Sequence, residues 1–454
     1  MKKVTILIAL ITVAAISSCK KSQFLDIKPS SNIVEPQSAG DFEELLDNTT
    51  VMNYTGGLAQ LASDDYETTY ANWQTVSNTE RNSYTWAVDI YQGDVGILDW
   101  NSLYQEVFYA NVVLDGTQSM AESPARDYIR GWALFDRAYA FYDLTRNFCK
   151  SYDKSTANSD LGIPLRLSPD IDYLVKRSTL QQSYNQIFAD LTTALPLLPA
   201  IRPSANLNRP SQIAAYALLA RIYLSMRDYA SAETNADKAL ALYSTLIDYN
   251  TVSQTSSTPF SKTNDELIYN SSQVVAYSDF TGSSFALSTI SQSVISLYDN
   301  NDLRLATYFK KSGTTYTKKR GYYGTGLYPF TGLATDELYL IKAECLARDG
   351  NTDEAMTWLN NLLIKRFRSG TFVPLTAANS TEALSLILTE RRKELIWRGL
   401  RWHDLKRLNL EGANITLSRS LNGVNYTIPP NDPRYVFPIP SDEIALSGIQ
   451  QNAR

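Results

Sequence analysis

The chain has 454 residues, with 42 Lys and Arg against 47 Asp and Glu, and it contains a single histidine. The net charge of −5 argues against nucleic acid as a partner, because phosphate binding needs a basic surface. The lone histidine, His403, excludes most histidine-ligated zinc sites and is the one imidazole open to a catalytic relay. The 29 tyrosines supply flat apolar faces with hydroxyl groups, which suit polar, ring-shaped or extended ligands.

The first residues of the chain have the features of an export signal. Two lysines precede an uncharged, mostly apolar run over residues 4–16, which has the length of a signal-peptide core and is too short to span a bilayer. Two serines and Cys19 follow, as is typical of a bacterial lipoprotein signal. We therefore expect residues 1–18 to be removed and Cys19 to be acylated, with residues 19–30 as a membrane tether. An ordinary secretory signal with an incidental Cys19 is the alternative.

Stretches with helical period dominate the remainder of the chain, so the sequence predicts a mostly α-helical protein. Residues 131–148 and 180–198 predict two helices, and residues 210–242 predict a helical hairpin. Small and large apolar residues in that hairpin occupy tetratricopeptide positions: Tyr216, Leu219, Ala220, Tyr223, Ala232 and Ala239. Alanines at the contact positions let two antiparallel helices approach closely.

A second hairpin with the same pattern is predicted over residues 336–365, with Gly350 in its turn. The two hairpins lie far apart in sequence and do not form a tandem array. We expect one domain over residues 31–454, with halves at about 31–245 and 265–454. In it, an interrupted tetratricopeptide-like scaffold carries long loops and a short β-hairpin.

The expected insertions differ in composition from the helices. Residues 250–262 and 277–293 are rich in Ser and Thr and predict surface loops. Residues 312–332 place tyrosines between glycines and predict a short β-hairpin or an ordered loop that displays aromatic rings.

The charged stretch over residues 390–407 predicts a structural helix with salt bridges. Glu394 precedes Arg398 by four residues, which would place the two side chains one helical turn apart. His403, beside a tryptophan, is expected to be packed rather than catalytic. Cys149 and Cys345 lie in apolar helical patterns, so we expect two buried thiols rather than a disulfide.

Six segments occur in the order that is familiar from one protein family: residues 24–29, 100–111, 137–144, 190–199, 390–407 and 437–452. Together they resemble the SusD/RagB-like lipoproteins of Gram-negative nutrient uptake. The segment over residues 390–407 is the most specific. Arg398 and Leu400 stand where the family more often has an acid and a histidine, so no role is assigned to a histidine at position 400.

The resemblance implies a function at the outer membrane. Members of the family are lipid-anchored at the cell surface, have no enzymatic activity, and act as the lid of a TonB-dependent transporter, the SusC-like partner. They bind oligosaccharides, or in some cases peptides, for import. The resemblance implies no cofactor and no catalytic residue.

The family's ligand site is formed by two segments that match residues 64–104 and 316–330 here. Aromatic faces can cover the C–H face of a sugar, while carboxylate and guanidinium groups hydrogen-bond its hydroxyls. The resemblance therefore implies these candidates: Asp65, Tyr66, Tyr70, Trp73, Arg81, Tyr322, Tyr323 and Tyr328. Trp73, flanked by two amides, is the strongest, whereas Trp100 is expected to be core.

Two other functions stay open at this stage. A hydrolase could use Asp64 and Asp65 as an acid and base pair, although adjacent side chains usually point apart. A repeat scaffold could also act as an adaptor that binds a protein partner and has no ligand of its own.

Overall fold

The computed structural model describes residues 36–283 and 287–454. The expected signal, Cys19 and the tether lie outside these residues. Most of the described chain is helical. The helices are α1 Ala39–Leu46, α2 Leu58–Ala62, α3 Tyr70–Trp73, α4 Asn78–Tyr84, α5 Leu98–Gly116, α6 Pro124–Phe148, α7 Leu180–Ala194, α8 Gln212–Met226, α9 Tyr229–Leu242, α10 Ser278–Thr281, α11 Gln292–Ile295, α12 Arg304–Tyr308, α13 Thr335–Arg348, α14 Thr352–Leu363, α15 Ser380–Glu394, α16 Arg401–Leu410 and α17 Ser441–Ser447.

The described strands are short, and they pair into two-stranded sheets that connect loop segments. The strands are β1 Tyr54–Thr55, β2 Tyr66–Glu67, β3 Leu161–Pro164, β4 Arg177–Thr179, β5 Leu267–Tyr269, β6 Ser272–Gln273, β7 Thr289–Ile290, β8 Phe309–Ser312, β9 Thr315–Lys318, β10 Leu333–Ala334, β11 Leu417–Leu421 and β12 Val424–Ile428. β1 pairs with β6 in parallel, and the pairs β2–β7, β3–β4, β5–β10, β8–β9 and β11–β12 are antiparallel. The β8–β9 hairpin begins slightly before the segment that the sequence predicted.

Both predicted helical hairpins are confirmed. Helices α8 and α9 form the first, and α13 and α14 form the second, with Gly350 at a φ of 87° in its turn. Helix α9 packs on α13, so the two hairpins are neighbours in space although they are distant in sequence. The other two predicted helices are also present, as α6 and α7. The scaffold is tetratricopeptide-like and interrupted, as expected.

Small side chains explain the close packing within the first hairpin. Ala220, Ala232 and Ala239 are fully buried where α8 meets α9. Tyr223 stacks on Phe188 of α7, with 4.8 Å between ring centroids. Tyr223 of the repeat pattern therefore fills the groove toward the neighbouring helix α7.

Residues 390–407 do not form the continuous helix that the sequence predicted. Helix α15 ends and α16 begins within this stretch, and a φ of 65° at Trp397 turns the chain between them. Glu394 and Arg398 therefore do not form the expected pair along one helix. Arg398 instead donates to Asp336 at 3.0 Å.

A buried ionic network joins the end of α15 to the insertions. Arg304 and Arg366 are fully buried, and both donate to Glu394, at 2.9 and 2.7 Å. Arg304 also contacts Asp302 at 2.7 Å, and Arg366 contacts Glu266 at 2.6 Å. Buried charges are tolerated when they are paired in this way, and loss of one partner is costly.

Other sequence expectations concern single residues. Cys149 and Cys345 are buried free thiols, as expected. His403 is buried, and burial together with the nearby cations Arg146 and Lys406 lowers its pKa well below the usual value, so the imidazole is neutral. Trp100 is in the core, at 2% exposure. No helix in the described ranges has both the length and the apolar character needed to cross a membrane.

Asp99 positions the segment that leads toward the predicted site, and it should make stability depend on pH. Its carboxylate accepts hydrogen bonds from the backbone amides of Gly57 and Leu58, at 2.6 and 2.9 Å, and from the Tyr277 hydroxyl at 2.7 Å. Burial raises the pKa of Asp99 to about 6 despite these bonds. The folded protein therefore binds more protons than the unfolded chain between about pH 4 and 6, and stability falls as pH rises through that window.

We expect Asp99→Asn to remove this dependence. Between about pH 3.5 and 7.5 the free energy of unfolding of the wild type should fall by about 3 kcal/mol relative to the variant. Urea unfolding of both proteins across this range measures the difference. Asp172→Asn, in an exposed loop, is the matched control. Parallel curves for the wild type and Asp99→Asn would show that Asp99 does not titrate in this window.

Candidate functional site

Tyr70, Trp73 and Arg81 come together at the surface. The Tyr70 and Trp73 rings lie at the two ends of the short helix α3 and stack with 5.7 Å between centroids and 21° between planes. The guanidinium carbon of Arg81 lies 5.9 Å from the Trp73 ring centroid. Tyr70 is 38% exposed and Trp73 is half-buried, so the ring pair reaches solvent. An aromatic surface beside a guanidinium suits a polar ring-shaped ligand.

Local hydrogen bonds position this ring pair. Thr69 caps α3 by accepting the Asn72 amide at 3.2 Å, and the Asn72 side chain donates to the carbonyl oxygen of Leu287 at 3.2 Å. The Trp73 indole nitrogen donates to the carbonyl oxygen of Arg81 at 3.0 Å, which ties the ring to α4. The platform is thus held by its own helix, by α4 and by the segment beside β7.

The expectation that Tyr66 and Asp65 face a ligand is corrected, because both are only 1% exposed. The Tyr66 hydroxyl donates to the carbonyl oxygen of Leu61 at 2.7 Å, and its ring packs edge-on against Trp397 at 5.7 Å. Burial, reinforced by the Asp64 carboxylate, raises the pKa of Asp65 to about 6. The pairing of β2 with β7 places this segment in the core, a long-range effect that the local sequence does not encode.

Asp64 is held by two guanidinium groups. Arg401 donates to its carboxylate at 2.7 Å and Arg392 at 2.9 Å. Burial opposes ionisation, but Arg401 and Arg392 together lower the pKa of Asp64 to about 2. Asp64 and Asp65 are therefore used in internal packing and ion pairing, which does not favour the hydrolase hypothesis.

Tyr322 is a core residue, which corrects its placement in the predicted site. It is 9% exposed, and its hydroxyl hydrogen-bonds the carboxylate of Glu266. The guanidinium carbon of Arg398 lies 3.9 Å from its ring centroid. Glu266 and Arg398 thus hold the Tyr322 side chain in the core, and both residues are distant from Tyr322 in the sequence.

Tyr323 and Tyr328 are half-buried. Tyr323 packs on Phe330 with 5.6 Å between ring centroids. Burial raises the pKa of Tyr328, and the carboxylates of Glu80 and Asp279 add to the rise, so Tyr328 lies within electrostatic range of α4. Tyr328 also lines a cleft of about 60 Å³, far below the roughly 300–1,000 Å³ of usual ligand pockets.

Lys318 is a buried lysine at this cleft that was not among the residues predicted from the sequence. Its side-chain nitrogen lies 3.8 Å from the Trp397 ring centroid and donates to the carbonyl oxygen of Phe280 at 3.1 Å. Burial lowers its pKa well below the ordinary lysine value. Alternate residues of a strand lie on one face, so the β9 sequence could have predicted that Lys318 shares the face of Tyr316.

Two family models match the chain. One, described as SusD-like, starch-binding and associating with the outer membrane, matches residues 23–224. The second, described as the SusD family, matches residues 335–453. Together they cover more than two thirds of the sequence, including most of helix α8 and the whole second helical hairpin.

Individual proteins agree with these matches. The chain is 25% identical to SusD-like protein P2 of Formosa agariphila over 412 residues, which are 76% of this chain and 77% of that protein. Its fold matches a SusD superfamily protein of Bacteroides thetaiotaomicron with a TM-score of 0.73 and 22% identity, over 92% of this chain and 100% of that one. It matches a SusD-like carbohydrate binding protein of Bacteroides vulgatus with a TM-score of 0.66 and 18% identity, over 91% and 97%. From the two family models and the shared fold, the chain belongs to the SusD/RagB-like family.

Proposed function

We propose that this protein captures oligosaccharides at the outer-membrane surface and delivers them to a SusC-like TonB-dependent transporter. The observation that carries the ligand part is the Tyr70–Trp73 ring pair beside Arg81, which reaches solvent through the exposed Tyr70 and the half-buried Trp73. The family description as starch-binding and associated with the outer membrane supports the same class of ligand and the same location. In this proposal the acylated Cys19 anchors the protein.

The ring pair would act as a shallow platform. One or two sugar rings can lay their C–H faces on the aromatic surface, while the Arg81 guanidinium donates to vicinal hydroxyls. Such a site binds with about −4 to −6 kcal/mol, near millimolar or somewhat tighter. Tyr328, which lies near α4, is the further residue that we propose for contact with a longer ligand.

Native gels that contain single polysaccharides test the ligand class. We expect at least one neutral polysaccharide to retard the protein, because stacking on the ring pair requires no charge on the sugar. Isothermal titration with oligosaccharides from the retarding polymer should then give a binding heat. Peptide mixtures of similar length serve as the comparison ligand.

Other outcomes of these experiments would favour one of the alternative functions. Binding of peptides without binding of any polysaccharide would favour peptide capture in the same role. Absence of both, with co-purification of the transporter from membranes, would favour an adaptor without a ligand of its own. Release of reducing ends from a bound glycan would revive the hydrolase hypothesis.

A further inference from the structure

A second concave surface lies at the β8–β9 hairpin. It is a groove of about 450 Å³, lined by this hairpin, by α12 and by parts of the loops that contain Gln254 and Arg368. We call it the basic groove because its lining contains four cationic side chains: Lys310, Lys311, Lys319 and Arg368. It is lined by none of the residues of the Tyr70–Trp73 platform.

The positive charge of the basic groove is not neutralised by any carboxylate of the part of the chain that the structure describes. Asp302 is the one carboxylate in its lining within the described ranges, and Arg304 and Lys393 already bind it, at 2.7 and 3.0 Å. None of the four cations makes a salt bridge to a carboxylate of residues 36–283 or 287–454. Lys310, Lys311 and Arg368 are exposed. This surface is therefore positive on a chain whose net charge is −5.

Lys319 supplies the fourth cation and is half-buried. It donates to the carbonyl oxygen of Gln254 at 2.5 Å, and burial lowers its pKa. Like charges gathered on one surface repel each other, and this repulsion is relieved when an anion binds. A ligand with acidic groups is therefore the natural complement of the groove.

An aromatic ring lies among these cations. Tyr316 is half-buried in the groove, opposite Lys311 across the hairpin, and the Lys311 ammonium lies 5.7 Å from its ring centroid. Gly313, with a φ of 60°, takes the turn position that favours glycine and keeps the hairpin tight. The groove thus combines a ring face with cations, and Thr255 and Asn300 add hydrogen-bonding groups at its edge.

We propose that the basic groove binds the acidic groups of an anionic oligosaccharide, either sulfate esters or the carboxylates of uronic acids. The proposal rests on the proposed function, and it names the class of glycan that the protein prefers. The Tyr316 ring and the uncharged hydrogen-bonding groups suit a sugar backbone, and the four cations suit its substituents. An acidic peptide would use the cations alone.

Matched pairs of polysaccharides test this assignment. A galactan in sulfated and desulfated forms, and polygalacturonate in free and methyl-esterified forms, differ in charge while they keep the same backbone. We expect native gels to show tighter binding of the anionic member of at least one pair. This preference should weaken between about 50 and 500 mM salt, because exposed ion pairs are screened.

Two double variants with the same change of charge identify the surface. Lys310→Ala with Lys311→Ala should weaken binding of the anionic glycan about three- to tenfold and leave binding of its neutral counterpart unchanged. Lys154→Ala with Lys176→Ala removes two exposed lysines outside the groove and should change neither. Circular dichroism establishes that both variants are folded.

Each remaining result contradicts the groove assignment, the class of its ligand or the proposed function itself. Equal binding of charged and neutral forms, or equal losses in the two double variants, overturns the assignment of the groove while the proposed function stands. Retardation by poly-glutamate as strong as by the anionic glycan makes the occupant an acidic peptide. Absence of binding to every polysaccharide, neutral or acidic, overturns the proposed function and this inference with it.

Discussion

Replacement of Glu394 by alanine should lower the free energy of unfolding by about 3–5 kcal/mol. Glu394 is 1% exposed and accepts hydrogen bonds from two guanidinium groups, those of Arg304 and Arg366, which are themselves fully buried. The variant leaves both guanidinium groups with one anionic partner fewer in a site without solvent. The loss of a partner in a buried ion pair costs far more than the loss of a surface contact.

Urea unfolding followed by circular dichroism measures this effect. Glu354→Ala, which removes an exposed carboxylate from α14, is the control and should change stability by less than about 0.5 kcal/mol. Glu394→Gln keeps the shape and one acceptor oxygen and should fall between the two. If Glu394→Ala unfolds at the same urea concentration as the wild type, the pairing of Glu394 with Arg304 and Arg366 does not stabilise the fold.

Trp73→Ala should weaken binding of a retarding glycan by about tenfold or more, provided that the proposed function holds. The variant removes half of the stacked ring pair and also the indole hydrogen bond to the Arg81 carbonyl oxygen. Arg81 then loses the ring that its guanidinium lies beside. Affinity gels and titration with the same glycan measure the change.

Three comparison variants separate stacking from general disturbance. Trp73→Phe retains an aromatic face and should recover part of the affinity. Tyr173→Ala removes an exposed aromatic from the loop between β3 and β4 and should have no effect. If Trp73→Ala binds as the wild type does while Tyr328→Ala does not, the ligand contacts the Tyr328 side instead of the platform.

The helical hairpins were predictable because their signal is local. Ala220 and Ala232 lie at the contact positions of a repeat whose pattern is complete within one hairpin, and Gly350 marks a turn that needs a positive φ. The break between α15 and α16 has one local signal, Gly399, which adopts a φ of 66°. The positive φ of Trp397 in the same break has no such signal, because a tryptophan adopts this conformation only where the tertiary structure imposes it.

The candidate site was predictable only in part. The segment that contains Tyr70, Trp73 and Arg81 was identified, and the three residues are close in sequence, so local structure suffices to bring them together. Tyr66 and Tyr322 are tyrosines like Tyr70, but they lie in the core. Their burial depends on Trp397 and Glu266, which distant segments supply.

The sequence by itself determined the family, the helical class, both repeat hairpins and the burial of the two thiols, since these follow from short-range periodicity and from motif order. The tertiary structure alone decided which tyrosines are accessible, how the buried charges pair, and that Lys310, Lys311, Lys319 and Arg368 share one groove. The Arg366–Glu266 pair illustrates the reason, because its members are 100 residues apart. Burial and charge pairing arise from contacts between remote segments, and no local pattern records them.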